Sequence, residues 1–270
     1  MTTSTPTSLA LRRDYLDGQR RLIIARAIVG SLSGLVPVPF LDDWLKSSIL
    51  GGGYRRVAEA HGVDVRDPAL ANLVHGTTPP PSVAEIAAGG IVYRIAGAAA
   101  KRMMVALATV NRARTASHTF MTMTLFDHYC ARLHTGGALD SKRALALREE
   151  IARALAQTPG ALGLHPFRRG VLSAARATIK APLELADLAS GGFVRRLLAR
   201  SSSANEITEA EAIDDVERSL QAALADKSNF LSRAVAAVET QLTAEGNPYV
   251  DAAIEALDRL WRARVAADHP

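Results

Sequence analysis

Residues 22–45, LIIARAIVGSLSGLVPVPFLDDWL, constrain what this chain can fold into more than any other stretch. An apolar helix pattern runs into a corner carrying Gly34, Pro37 and Pro39, and two carboxylates, Asp42 and Asp43, follow at once. Each proline fixes its own φ and biases the residue before it toward extended geometry, so a helix arriving here must stop. Pro39 then suits the entry to a second helix, in which Asp42 and Asp43 meet the positive end of the helix dipole. The expectation is a buried helix, a rigid corner and a second helix. A sharper alternative makes the two aspartates a cation or metal site, or a clamp on an arginine. Gly30 and Gly34, four positions apart, would let another helix approach closely.

Residues 22–41 are 20 in number and hold a single charge, Arg26, close to the length that crosses a bilayer core of ~30 Å. A central arginine costs about 2.5–3.5 kcal/mol in that setting, and the prolines end the helix early. A buried helix or a shallow insertion is therefore favoured over a full crossing. Arg26 also falls at seven-residue spacing with Arg12, Gln19 and Ser33, which reads as a polar stripe along a helix over 9–36.

Alanine, leucine and arginine dominate the rest, a mixture that enters helices at little cost. The fold class expected is all-α, an irregular multi-helix bundle built from helical hairpins, and no segment reads clearly as a strand. Gly51-Gly52-Gly53 reads as a hinge between two helices; without a preceding strand or a following Gly-Lys-Ser/Thr it is not a phosphate loop. Asp67 is placed as the cap of a short helix ending near His75. Residues 76–82, GTTPPPS, form a stiff joint between subdomains. A long helical stretch over 83–134 is expected to bend or break near 115–117. Asp140 caps a helix over 141–157, and Thr208 with Glu211 forms a capping box for another reaching Ala225. Two more follow at 230–244 and 250–265. In the last, Ile254, Leu257, Leu260 and Trp261 are spaced for docking on a body. Residues 175–199 echo 25–58, both running Ala-Arg-Ala, proline, aspartate, Gly-Gly, aromatic, Arg-Arg; this is a decayed repeat or a coincidence of composition.

The charge is divided. Residues 1–200 carry 26 Lys and Arg against 14 Asp and Glu, and residues 201–270 carry 6 against 13, which makes the parts +12 and −7. The division read from this is a disordered tail over 1–8, a basic helical body over 9–200, and an acidic helical segment over 201–270 docked on it. Arg94, Lys101, Arg102 and Arg112 on one helix pattern, and Arg169, Arg176 and Lys180 on another, are candidates to face an anionic surface or simply solvent. Aromatic residues make up only 5% of the chain, too few for base-stacking platforms, and no helix-turn-helix spacing stands out, so nucleic acid is not the expected partner.

Cys130 is the single cysteine, which excludes an intrachain disulfide and a multi-cysteine zinc site and fits a reducing compartment. The opening residues lack the pattern of a secretory signal, and the expected location is cytoplasmic, at most peripheral on the inner membrane. Asp127, Cys130 and His134 fall at i, i+3 and i+7 and would share one helix face. A metal could use that carboxylate, thiolate and imidazole together; a packed thiol with polar neighbours is the plainer reading.

GLVPVPFLDD, at the end of an apolar helix and before a glycine-rich break, resembles a motif of EcsC-like and YcjF-like bacterial proteins. The resemblance rests on Gly34, Pro37, Pro39 and Asp42. It implies a helical protein, with membrane association or a transporter or GTPase partner, and it carries over no catalytic residue. The long hydrophobic hairpin of the YcjF-like group is shortened here and interrupted by Arg26. Three functions follow as expectations. The first is a non-enzymatic helical protein, without cofactor, that binds an anionic lipid surface or a membrane-associated partner. The second is a cytoplasmic adaptor whose helical grooves hold a protein partner. The third is a metal- or thiol-dependent enzyme using Asp42 and Asp43, or Asp127, Cys130 and His134.

Overall fold

The structure, a computed structural model, describes residues 13–32, 41–77, 101–158, 160, 166–168, 170–171, 209–245 and 248–268. The side chains of 41–47, 101–110, 209–213, 244–245 and 248 are outside that description. The described residues form an all-α architecture. A 3₁₀ turn at Asp14–Leu16 leads into α1 (Asp17–Leu32); α2 (Leu41–Ala60) and α3 (Asp67–His75) follow. Next come α4 (Lys101–His128), a π-helical turn (Tyr129–Leu133) and α5 (Ser141–Gln157). The C-terminal part supplies α6 (Glu209–Ala225), α7 (Phe230–Glu245) and α8 (Pro248–Asp268).

Helix α1 is the centre of the bundle formed by the described residues. Ile23 through Leu32 are all buried, and the most extensive helix contact joins α1 to α4. This explains why its sequence is apolar on every side: a helix surrounded by others has no solvent face to keep polar. Gly30 faces α2, yet the close approach does not require a glycine, since a methyl group there would lie in ordinary contact, 3.8 Å from Ile49 Cγ2. Helix α4 and the start of the π turn are buried nearly as fully between Phe120 and Cys130. The remaining helices pack around this pair, with α6 on α2 and α1, α7 on α1, and α8 on α5 and α4.

The polar stripe expected through Arg26 does not exist as a solvent face, because Arg26 is 1% exposed. Its guanidinium donates to the Ile49 carbonyl at 2.6 Å and pairs with Glu217 of α6. Burial first, and the Arg56 charge second, lower its pKa to about 9, so it stays cationic at neutral pH. An ion inside a helical core requires a partner, and the acidic C-terminal segment delivers one.

Several helix boundaries differ from expectation. Gly51-Gly52-Gly53 is no hinge, for α2 runs through it without a break. The reason is close packing: a methyl group on Gly53 would overlap Met123 Cε and lie 2.9 Å from Arg26 Cδ. No break occurs at 115–117 either, where α4 is continuous and Thr115 donates its hydroxyl to the Asn111 carbonyl at 3.0 Å. Asp67 is not a cap; Arg66 occupies that position and Asp67 pairs with Arg55 at 3.1 Å. Asp140 does cap α5, accepting from the Arg143 amide at 2.8 Å. Helices α6, α7 and α8 lie within a few residues of where periodicity placed them. One strand pairing was not anticipated. Asp64–Val65 runs parallel to Ala138–Leu139, bringing the end of α2 beside the segment that follows the π turn.

Thr208 and the side chain of Glu211, the joint over 78–82 and the repeat over 175–199 lie outside the described residues. Among the described residues no helix is long and apolar enough to cross a membrane.

Candidate functional site

Two features could carry function: the polar cluster around the π turn, and a cleft walled by four helices. The cluster begins at the end of α4. Asp127 is fully buried and accepts from His61 Nε2 at 2.5 Å. His61 sits in the turn after α2, held by the Val63 amide donating back to the Ala58 carbonyl at 2.9 Å and by the short parallel pairing. Asp127 Oδ2 is buried with no partner among the described residues. Burial raises the Asp127 pKa, opposed by the His61 hydrogen bond.

The next residue faces the opposite way. His128 accepts or donates at both ring nitrogens, to the Tyr15 hydroxyl at 2.7 Å and to Asp258 of α8 at 2.7 Å. Burial lowers its pKa, Asp258 opposes the shift, and Arg13 and Arg132 add to it. The Arg132 guanidinium lies 4.9 Å from the centre of the Tyr15 ring. Tyr129 then enters the core, its ring 5.0 Å from that of Trp261 and near perpendicular to it.

The face expected to unite Asp127, Cys130 and His134 is not formed as a ligand set. The π turn, closed by the His134 amide donating to the Tyr129 carbonyl at 2.8 Å, shifts the phase of the side chains after it. His134 Nδ1 lies 3.2 Å from the Tyr129 hydroxyl, while Asp127 is engaged by His61. Cys130 is buried, and burial with the Asp127 charge beside it pushes its thiol far up, which keeps it protonated and a poor nucleophile. Among the described residues no three His, Cys, Asp or Glu side chains are arranged to hold a metal.

The other residues singled out in the sequence are divided by what is described. Gly34, Pro37, Pro39, Arg94, Arg169, Arg176 and Lys180 lie outside the described residues. Asp42 and Asp43 fall in the first turn of α2, and Lys101 and Arg102 in the first turn of α4, with their side chains outside the description. Arg112 is described, and it donates to the Ser31 carbonyl at 3.2 Å, at the C-terminal end of α1 where a cation is favoured.

The second feature is a cleft of about 270 Å³ between α2, α3, α4 and α5. Leu50 and Tyr54 come from α2, Leu73 and Val74 from α3, and Ile151 and Leu155 from α5, giving largely apolar walls. His118, Thr119 and Thr122 of α4 and Arg148 of α5 supply the polar part, and among the described residues the lining holds no carboxylate. Arg148 is positioned by the C-terminus of α3: one of its amino groups donates to the carbonyls of Leu73 at 2.7 Å and Val74 at 2.5 Å. Gly76, at φ +68°, turns the chain there and leaves room for the guanidinium. Tyr54 is buried and its phenol is pushed up to about 12 by burial, so it is present as a hydroxyl.

Sequence reading missed the cleft and the histidine pairings. Arg148 is one of several charges between residues 141 and 157, and His61, Tyr15 and Asp258 carry no motif. Their roles arise from partners far away in the chain.

The fold and these two features define an irregular helical bundle with a lined cleft. Compared with models of known families, with curated proteins and with solved structures, the chain matches none.

Proposed function

We propose that this chain is a non-enzymatic helical binding protein that receives an apolar part of its partner in the cleft between α2 and α5. One observation carries the reading: among the described residues the cleft combines apolar walls from four helices with a few polar groups, Arg148 and the Thr122 hydroxyl at 3.5 Å from His118 Nδ1 among them. Mostly apolar walls with a few placed polar groups are the composition of a site that holds a ligand. The titratable groups near the π turn support it, since Asp127, His128 and His134 are each engaged by another side chain. Among the anion-facing candidates, the one described side chain, Arg112, is partly buried and engaged by the Ser31 carbonyl, so a lipid surface has less behind it than the cleft does.

A neutral solvatochromic dye tests the reading. The wild-type protein should bind it saturably with a blue-shifted emission, and Leu155→Trp, which fills the cleft, should weaken binding at least tenfold while keeping the helical circular dichroism. Equal dye binding by the two proteins overturns the proposal.

A further inference from the structure

Resting on that reading, we infer that the occupant of the cleft is an aliphatic carboxylate, its chain against Leu50, Leu73, Ile151 and Leu155 and its headgroup at Arg148. Charge decides the class. Arg148 is the permanent cation of the lining, and a guanidinium keeps its charge at any working pH. His118 and Tyr54 line the same cleft, and the Arg148 charge acts on both.

Competition from within the protein is absent among the described residues. Glu149 and Glu150, next to Arg148 on α5, turn away to Arg264 at 3.1 and 2.8 Å, and Glu150 also accepts from Arg153 at 3.0 Å. Arg148 gives one amino group to the end of α3 and has no other partner among the described residues, which leaves a donor edge suited to a carboxylate. The Tyr54 hydroxyl, likewise without a described partner, adds a second donor. An amine would meet Arg148 with like charge, and an alcohol would forgo the charge-assisted hydrogen bond.

Calorimetric titration of the full chain with decanoate, decanol and decylamine, each below its micellar range, separates the possibilities. Decanoate should bind at one site, decanol at least tenfold more weakly, and decylamine not measurably. Arg148→Gln should remove most of the preference for decanoate over decanol. Leu155→Trp should weaken both probes, and the His118 ring signals in NMR should move on adding decanoate to the wild type. Equal binding of decanoate and decanol overturns the carboxylate assignment and leaves the cleft reading standing. Decanoate binding that is unchanged by Leu155→Trp overturns both the site and the class. Should Arg148→Gln fail to fold, the headgroup series and Leu155→Trp still decide the matter.

Discussion

At the scale of single residues, Gly53 and Arg26 show how closely α1, α2 and α4 are fitted. An alanine at Gly53 would gain about 1 kcal/mol of helix propensity but would intrude on Met123 and on an Arg26 stem tethered at both Ile49 and Glu217. Overpacking costs about 1–3 kcal/mol, so Gly53→Ala should lower stability by up to ~2 kcal/mol in urea unfolding. Gly53→Ala with Met123→Ala should cost less than the two changes summed, because the intruding methyl then has space. A gain in stability from the alanine alone would show that α2 is not held this tightly. Glu217→Ala should be worse, since it strands a buried guanidinium; a loss on the order of 3 kcal/mol is expected. Arg26→Met together with Glu217→Met should recover most of it, and failure to recover would mean that the pair is more than a satisfied burial.

At the scale of elements, the end of α4 sets the response to pH, and two neighbouring residues act in opposite directions. The neutral form of His128 belongs to the folded state, because burial lowers its pKa below 6.5. Its contribution is fully present above that value and is lost as pH falls through the lowered one. Relative to the unfolded chain, folding favours the protonated form of Asp127, because burial raises its pKa above 3.8 against the opposing His61 hydrogen bond. Its contribution is present below 3.8 and is lost as pH rises through the raised value. Urea midpoints measured across pH should therefore flatten on the acid side of 6.5 for His128→Gln, with Tyr15, Asp258, Arg13 and Arg132 left in place. Asp127→Asn should instead remove the loss that begins above 3.8, while the amide oxygen still accepts from His61. An unchanged pH profile in either variant would falsify its assignment.

The π turn itself explains why spacing alone misplaced a candidate site. Asp127, Cys130 and His134 share a face only if 3.6-residue periodicity continues to His134. The turn that admits Tyr129 to its place against Trp261 breaks that periodicity. Gly51-Gly52-Gly53 misled for a related reason. Glycine weakens a helix locally, yet contacts with α1 and α4 more than compensate when only a hydrogen atom fits between them.

For the whole molecule, the issue is what holds the acidic C-terminal helices to the basic body. Ion pairs join them at Arg13–Asp251, Arg21–Glu239 and Arg264–Glu149, at 3.0, 3.4 and 3.1 Å, and most of these groups are partly exposed. Such pairs contribute about 0–1 kcal/mol each. Leu257, Ile254 and Trp261 are buried, and truncating a buried leucine costs about 2–5 kcal/mol. Molar sodium chloride should therefore lower stability by less than ~2 kcal/mol, whereas Leu257→Ala should lower it by more. Dissociation of α8 signalled by Trp261 emission at high salt, with the remaining helices intact, would reverse that ranking.

The amino-acid sequence by itself determined the class of fold, the burial of the apolar helix containing Arg26, the cap at Asp140 and the apolar face of α8. Each depends on propensity, periodicity or a contact within a few residues, which a linear reading can register. Tertiary structure alone decided that Arg26 lies inside, that a glycine triplet is a packing surface, that His61 meets Asp127, and that Arg148 stands in a cleft. Those outcomes join positions dozens to nearly two hundred residues apart, and the free energy that selects them comes from burial and charge pairing that exists only once the helices are assembled.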